Sequence, residues 1–203
     1  MNILLLGATG ATGKEVLRQA QDAGHTITML VRNPAKLPTD RTGLRIIVGD
    51  ATDEKTMHSA MAENEILIST LGSLKAPVIT QSTKAIIAAA KKTSVKRVII
   101  LSSFAAKRDQ LTHSASLLTG MIMKNIIKDK RTGEHLLRHS SLAWTIVYAP
   151  TLTNARSGTP IRVIPSQERV GLKNKIARAD VAAWILTELH DSFYLNKDVT
   201  ISQ

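Results

Sequence analysis

The start of the chain combines an apolar run, a glycine turn and a helix-period stretch. Residues Ile3–Leu6 are wholly apolar, as expected for a strand buried on both faces. Glycine follows at Gly7 and recurs at Gly10 and Gly13. Gly7 permits a tight turn, Gly10 lets the backbone approach a phosphate, and Gly13 lets the helix pack close to the strand. The pattern predicts a dinucleotide-binding turn in which the start of the helix faces a pyrophosphate.

The rest of the chain alternates apolar runs with helix-period stretches. A first helix is expected from about residue 11 to 23, with Gly24 as its stop. Further strands are expected over 26–31, 44–48, 65–71, 96–101, 143–148, 161–164 and 199–202, and further helices over 53–61, 77–92, 131–139 and 179–190. The segment 105–130 is less regular and is expected to be helical in its second half. The alternation predicts a single-domain α/β fold, a doubly wound parallel sheet (Rossmann) in three α/β/α layers. Residues from about 151 to 203 are expected to form a small region on the substrate side.

A cation stands where the second strand ends. NAD-specific sites place an acidic residue there to hold the ribose hydroxyls, whereas this sequence has Arg32. A carboxylate would repel a ribose 2′-phosphate, and a guanidinium can hold it through paired hydrogen bonds. Arg32 therefore favours NADPH over NADH, with Lys36 as a weaker second candidate. The alternative is an ordinary exposed arginine at the end of a strand.

The third strand leads into a short acidic segment. Asp50 follows the strand at the end where ligands of open α/β sheets bind, so it is a candidate acceptor for the adenine amino group. Asp53 is the expected N-cap of the next helix, with Thr52 as the competing assignment.

Composition narrows the functional classes. The chain has 203 residues, 43% hydrophobic and 21% charged, and no cysteine, which excludes disulfides and thiolate chemistry. No apolar run is long enough to span a membrane and the N-terminal run is too short for a signal peptide, so a cytoplasmic protein is expected. The net charge of +11 is spread along the chain, and aromatic residues make up 3%. That pattern argues against nucleic-acid binding and favours anionic small ligands.

A zinc site is not expected. His135 and His139 are four residues apart, a spacing that can hold zinc, but no third ligand with suitable spacing is evident.

Nothing in the sequence requires a stable oligomer, and a monomer or a weak oligomer is expected.

Six stretches together carry a resemblance to a known family. They are Gly-Ala-Thr-Gly-Ala-Thr-Gly at 7–13, Leu-Val-Arg-Asn-Pro-Ala-Lys-Leu at 30–37, Val-Gly-Asp-Ala-Thr-Asp at 48–53, Leu-Ser-Ser-Phe at 101–104, Trp-Thr-Ile-Val-Tyr-Ala-Pro at 144–150 and Ile-Ala-Arg-Ala-Asp-Val-Ala at 176–182. The chain resembles the atypical short-chain dehydrogenase/reductases with an NAD(P)-binding Rossmann domain. Within these it is most similar to the NADPH-dependent flavin reductase/biliverdin-IXβ reductase group and its NmrA-like relatives.

The resemblance implies a role for each matching position. Phosphate contacts are implied along the turn, at Gly7, Thr9, Gly10, Ala11, Thr12 and Gly13, with the 2′-phosphate at Arg32. Adenine contacts are implied at Asp50 and Ala51, ribose contacts at Leu71 and Gly72, and nicotinamide neighbours at Ser102, Ser103 and Pro150. Ser103 matches the serine beside the nicotinamide and is the candidate catalytic residue. Phe104, His113 and Thr151 are candidates for the substrate side, although a solvated loop histidine is the simpler interpretation of His113.

The chain departs from the wider family in one respect. Ordinary short-chain dehydrogenases use a Tyr-x-x-x-Lys pair for proton exchange, but neither Tyr148 nor Tyr194 has a lysine four residues on. Lys130 matches the family lysine, yet Ile126 stands four residues before it. Hydride transfer to a planar, anionic acceptor such as a flavin, a quinone or a linear tetrapyrrole is therefore favoured over alcohol/ketone interconversion. The alternative is a non-catalytic NADP(H)-binding sensor that acts through a protein partner.

Overall fold

In the computed structural model, which describes residues 1–37, 42–72, 77–155 and 158–203, apolar runs form the central strands. The strands are β1 (Asn2–Leu6), β2 (Thr26–Val31), β3 (Leu44–Val48), β4 (Ile66–Ser69), β5 (Arg97–Ser103), β6 (Ala143–Ala149), β7 (Thr151–Thr153), β8 (Arg162–Ile164), β9 (Lys175–Ala177) and β10 (Lys197–Ser202). The helices are α1 (Ala11–Asp22), α2 (Glu54–Met61), α3 (Val78–Ala90), α4 (His113–Ile122), α5 (Lys124–Arg138) and α6 (Arg178–Asp191).

The main sheet has eight strands in the order β3-β2-β1-β4-β5-β6-β10-β8. Neighbouring strands from β3 to β10 run parallel. The strand order reverses between β1 and β4, which opens a crevice at the carboxyl ends of those strands. This arrangement confirms the predicted doubly wound Rossmann sheet.

Helices cover both faces of the sheet. One apolar cluster joins β1, β2 and β10 to α1 and α6, and a second joins β1, β4 and β5 to α2, α3 and α5. The two clusters form the predicted α/β/α layers. Their strands are buried on both faces, since successive residues such as Leu4 and Leu5 belong to opposite clusters and are both fully buried.

The region from about residue 151 to 203 departs from the sequence expectations at three strands. β8 pairs antiparallel with β10, so the sheet is not parallel throughout. β7 and β9 form a separate two-stranded sheet that the sequence did not predict. Each has three residues, too few to show a periodicity of their own.

Helix α5 begins at Lys124, so the boundary expected near residue 131 is misplaced, whereas the segment 105–130 is helical in its second half, as predicted. Asp129 is buried within it and accepts from the backbone N–H groups of Ile79 and Thr80, both at 2.9 Å. These groups lie at the start of α3, so Asp129 caps that helix from a neighbouring one. Gly133 packs within reach of Ile79 and Thr83. Tertiary contacts therefore keep a polar, glycine-containing segment helical.

No helix within the described ranges is both long enough and apolar enough to cross a membrane.

Candidate functional site

The glycine turn forms a cradle at the carboxyl end of β1. Gly7 has φ +83°, and the N–H of Gly10 donates to its carbonyl at 2.9 Å. A Cβ added to Gly13 would lie 2.7 Å from the carbonyl carbon of Gly7 and 2.9 Å from the Cα of Ala8, so only glycine permits this approach of α1 to β1. Gly10, the N-cap residue, offers no side-chain cap, and the first turn carries no acidic side chain. The helix start therefore presents N–H groups to an anion.

A cleft of about 160 Å³ adjoins this cradle. It brings together the following predicted cofactor residues: Gly7, Thr9, Gly10, Arg32, Asp50, Ala51, Leu71 and Gly72. Ala11, Thr12 and Gly13 form the first turn of α1 beside it, and the last two are buried. Residues more than sixty positions apart thus meet where the strand order reverses, as the ligand rule for open α/β sheets requires.

Opposite charges face each other at the β2–β3 end of the cleft. Arg32 is exposed just after β2, and Asp50 is exposed two residues after β3. The backbone N–H and the hydroxyl of Thr52 both donate to Asp50 Oδ1 at 2.8 Å. These bonds, with a smaller contribution from Arg32, lower the pKa of Asp50. The cleft therefore offers a fixed carboxylate and a guanidinium at one end, and a cradle that only glycine can form at the other, which suits a phosphorylated dinucleotide.

A small cavity lies between the strand ends and helices α3 and α5. Its lining includes Ser69 at the end of β4, Leu71 after that strand, Ser102 in β5, and Lys130 and Glu134 from α5. Within the described part of the chain, neither a hydrogen bond nor an ion pair holds the Lys130 ammonium. Burial lowers the pKa of Lys130, while the charges of Glu134 and Asp129 oppose that shift. A lysine in this setting releases its proton more readily than an exposed one.

Glu134 is the centre of a buried polar network. Its carboxylate accepts from Ser102 Oγ at 2.5 Å and from the Tyr148 hydroxyl at 2.6 Å. Arg138 donates to that same hydroxyl at 2.7 Å and to both carboxylate oxygens of Asp198 at 3.0 Å. Glu134 is 2% exposed, so the network fixes a negative charge beside Lys130.

Tyr148 is unsuited to act as the proton donor. Burial, followed by the charges of Glu134 and Asp198, raises the pKa of Tyr148. Its hydroxyl is already engaged by Glu134 and Arg138.

Ser102 and Ser103 take different positions at the end of β5. Ser102 is buried and faces Glu134. Ser103 is half-buried, and its hydroxyl oxygen accepts from the N–H of Ala105 at 3.3 Å, capping a short 3-10 helix over Phe104–Ala106. The Ser103 proton is not used in that bond, so the hydroxyl keeps its capacity to donate.

The other predicted residues lie just after β5, just after β6 and at the start of α4. Phe104 is buried in a small apolar cluster with Leu111, Ala115, Ile164 and Val170, where it supports the base of α4. His113 is exposed at the start of α4. Pro150 is buried directly after β6, and Thr151 is exposed at the start of β7.

The described residues contain no group of three or more potential metal ligands. His135 and His139 lie with ring centroids 4.1 Å apart, but His139 Nδ1 is bonded to the carbonyl of His135 at 2.8 Å.

From the sequence alone, neither Lys130 nor Glu134 was predicted to belong to the site. Their spacing of four residues within one helix places them on the same face, and this was the available signal. Because no tyrosine stands four residues before Lys130, the family's catalytic pair does not identify this lysine. The residues that contact Glu134 come from β5 and β6, so its network is not evident from the local sequence.

Three comparisons place the chain among known proteins. The profile of the NAD(P)H-binding family matches residues 7–192. The photosystem II assembly factor Ycf39 of Cyanophora paradoxa is 28% identical over 153 residues, covering 72% of this chain and 44% of that protein. The (4-alkanoyl-5-oxo-2,5-dihydrofuran-3-yl)methyl phosphate reductase of Streptomyces griseus is 26% identical over 159 residues, covering 78% and 51%.

A solved structure supports the fold over the full length. A short-chain dehydrogenase/reductase of Veillonella parvula in complex with NADP superposes with a TM-score of 0.87 at 18% identity, covering 100% of this chain and 94% of that one. This chain spans about half, or less, of the length of the first curated relatives it matches.

Proposed function

Because the chain belongs to the NAD(P)H-binding family, we propose that it is an NADPH-dependent reductase acting on a planar conjugated acceptor. The acceptor would be a flavin, a quinone or a linear tetrapyrrole. The observation that carries the proposal is the Lys130 ammonium, largely buried and without a partner in the described structure, in a cavity that shares Leu71 with the cofactor cleft.

The chain's residues would hold the cofactor from both ends. The turn from Gly7 to Gly13 would bind the pyrophosphate through backbone N–H groups, and Arg32 would bind the 2′-phosphate. Asp50 and Ala51 would contact the adenine, while Ser103 and Pro150 would border the nicotinamide. When bound, NADPH supplies the hydride. Fold similarity to the NADP complex from Veillonella parvula supports this assignment.

Lys130 would supply the proton that accompanies the hydride. Its lowered pKa reduces the cost of releasing that proton to a reduced acceptor. Glu134 would act as a positioning residue, because its carboxylate keeps a proton on Lys130 until the acceptor is reduced. Ser102, Tyr148 and Arg138 hold Glu134 in place.

Several features support a small anionic acceptor. The net charge is +11, and the Streptomyces griseus relative is named for a substrate that bears a phosphate and an alkanoyl group. The region from about 151 to 203 would contribute to the acceptor side through Thr151, with Phe104 and His113 from the neighbouring segment. We place the protein in the cytoplasm, as a monomer or a weak oligomer.

A non-catalytic NADP(H)-binding regulator is the second candidate. The relative from Cyanophora paradoxa is named as an assembly factor, which favours a role exercised through a protein partner. Turnover separates the two candidates.

Lys130→Met, with Lys92→Met as control for loss of a remote lysine, tests the proton role. With FMN or a quinone as acceptor, turnover should fall by at least about tenfold in Lys130→Met, with the affinity for NADPH retained. Lys130→Arg should restore part of the charge effect without the proton release. Equal turnover in Lys130→Met and the control would remove Lys130 from the mechanism.

A further inference from the structure

Helices α4 and α5 diverge and leave a groove of about 890 Å³ between them. Leu117, Met121 and Ile127 form its apolar part. Leu117 is 67% exposed and Met121 is 77% exposed, although both belong to helix α4, which packs against the rest of the protein. Exposed apolar side chains grouped in a concave surface indicate a binding site more often than isolated ones do.

The rim of this α4–α5 groove is positively charged. Its ionisable groups are Lys124, Lys128, Arg131, His113 and His135. No acidic residue occurs among the described residues that line it. The nearby acids of α5 turn elsewhere, since Asp129 caps α3 and Glu134 bonds Ser102. The positive charge on the rim is therefore available to an outside anion.

The α4–α5 groove adjoins the polar network around Glu134. Arg131 and His135 also line a cleft of about 400 Å³ that includes Glu134 and Tyr148. Glu134 in turn lines the cavity that contains Lys130. The α4–α5 groove and the cavity lined by Lys130 thus lie along the same helix, α5.

We propose that the α4–α5 groove binds an acidic amphiphile, a small molecule with an apolar body and one or more carboxylate, phosphate or sulfonate groups. This inference deepens the proposed reductase function, since the groove would hold the part of the acceptor remote from the nicotinamide. The volume lies within the range of small-molecule sites. A second copy of this chain is a poor occupant, because its own charge of +11 repels the cationic rim.

A pair of dyes that differ only in charge tests the groove. 8-Anilinonaphthalene-1-sulfonate and the uncharged N-phenyl-1-naphthylamine would be titrated by fluorescence with NADP⁺ present to fill the cofactor cleft. The sulfonate should bind more tightly, and salt should weaken its binding selectively. Lys124→Glu/Lys128→Glu should lose about tenfold in sulfonate affinity, since two attractive charges on the rim become repulsive, and should leave the affinity for the uncharged dye unaffected.

The control variant is Lys91→Glu/Lys92→Glu, which changes the net charge equally at exposed positions just beyond α3. Equal affinities for the two dyes, or an equal loss in the two variants, would overturn the proposal. A dimer that buries the groove and excludes the dye would also overturn it.

Kinetics connect the α4–α5 groove to the reaction. Lys124→Glu/Lys128→Glu should raise KM for 1,2-naphthoquinone-4-sulfonate and leave KM for 1,2-naphthoquinone unchanged, with kcat retained for both. An equal KM effect on the two quinones would detach the groove from the acceptor. If the wild type reduces neither quinone, the reductase proposal fails for these acceptors, while the dye titrations still decide whether the groove binds anions.

Discussion

Replacing Gly13 with alanine tests the cradle directly. The new Cβ would lie 2.7 Å from the carbonyl carbon of Gly7 and 2.9 Å from the Cα of Ala8. Both are backbone atoms, so no side chain can rotate away. Since carbon atoms prefer separations of about 3.5–4.0 Å, α1 must withdraw from β1 by roughly 1 Å. Overpacking of this kind costs about 1–3 kcal/mol of stability.

The same withdrawal moves the N–H groups of the first turn away from the pyrophosphate. Hydrogen bonds to a charged group contribute about 1.5–3 kcal/mol each, so the weakening of a single bond corresponds to an increase in Kd for NADPH of about tenfold or more. Fluorescence titration of NADPH and thermal denaturation measure the two effects separately.

Gly24→Ala provides the matched control. Gly24 has φ +76° with no atom within 4 Å of an added Cβ, and it lies just beyond the far end of α1. Left-handed strain costs about 1–2 kcal/mol, so Gly24→Ala should lower the melting temperature without changing Kd. If Gly13→Ala binds NADPH as tightly as the wild type, the assignment of the turn as the pyrophosphate site is wrong.

Three further variants probe separate features. Glu188→Ala leaves the Arg97 guanidinium buried without its 2.8 Å ion-pair partner and should cost about 3–5 kcal/mol in urea denaturation; a loss below about 1 kcal/mol would contradict this. Because burial lowers the pKa of Lys130, turnover should fall as the pH rises through that lowered pKa. Between the lowered pKa and the ordinary pKa of lysine, the unfolded chain binds more protons than the folded protein, so the stability of the fold should rise with pH. Both trends should disappear in Lys130→Met. Arg32→Glu should abolish the preference for NADPH over NADH in direct titrations, and unchanged discrimination would remove Arg32 from the site.

The sequence predicts well which residues line the cleft beside the glycine turn, because local spacing determines it. Gly7, Gly10 and Gly13 lie within one turn, and Arg32 and Asp50 directly follow predicted strands. Parallel strands bring their carboxyl ends to the same edge, so residues at those ends meet once the sheet order is known. The N-cap role predicted for Asp53 is confirmed by its bond to the N–H of Thr56 at 2.7 Å.

The sequence did not predict where α5 begins, because the partners of its first half are distant in sequence. Asp129 has the character of a loop residue until the start of α3 is placed beside it. The residues next to Lys130 in the sequence are polar and do not indicate that it is buried. Its burial results from the packing of α3 and α5. The antiparallel strand β8 and the pair β7–β9 likewise depend on contacts between distant segments.

The most direct test is NADPH oxidation by the wild-type protein, followed by the loss of near-ultraviolet absorbance, with FMN, riboflavin and a quinone offered in turn. Titrations of NADPH and NADH would accompany it. We expect tighter binding of NADPH than of NADH and turnover with at least one acceptor. Tight NADPH binding without turnover on any of them would contradict the reductase assignment and favour the regulator.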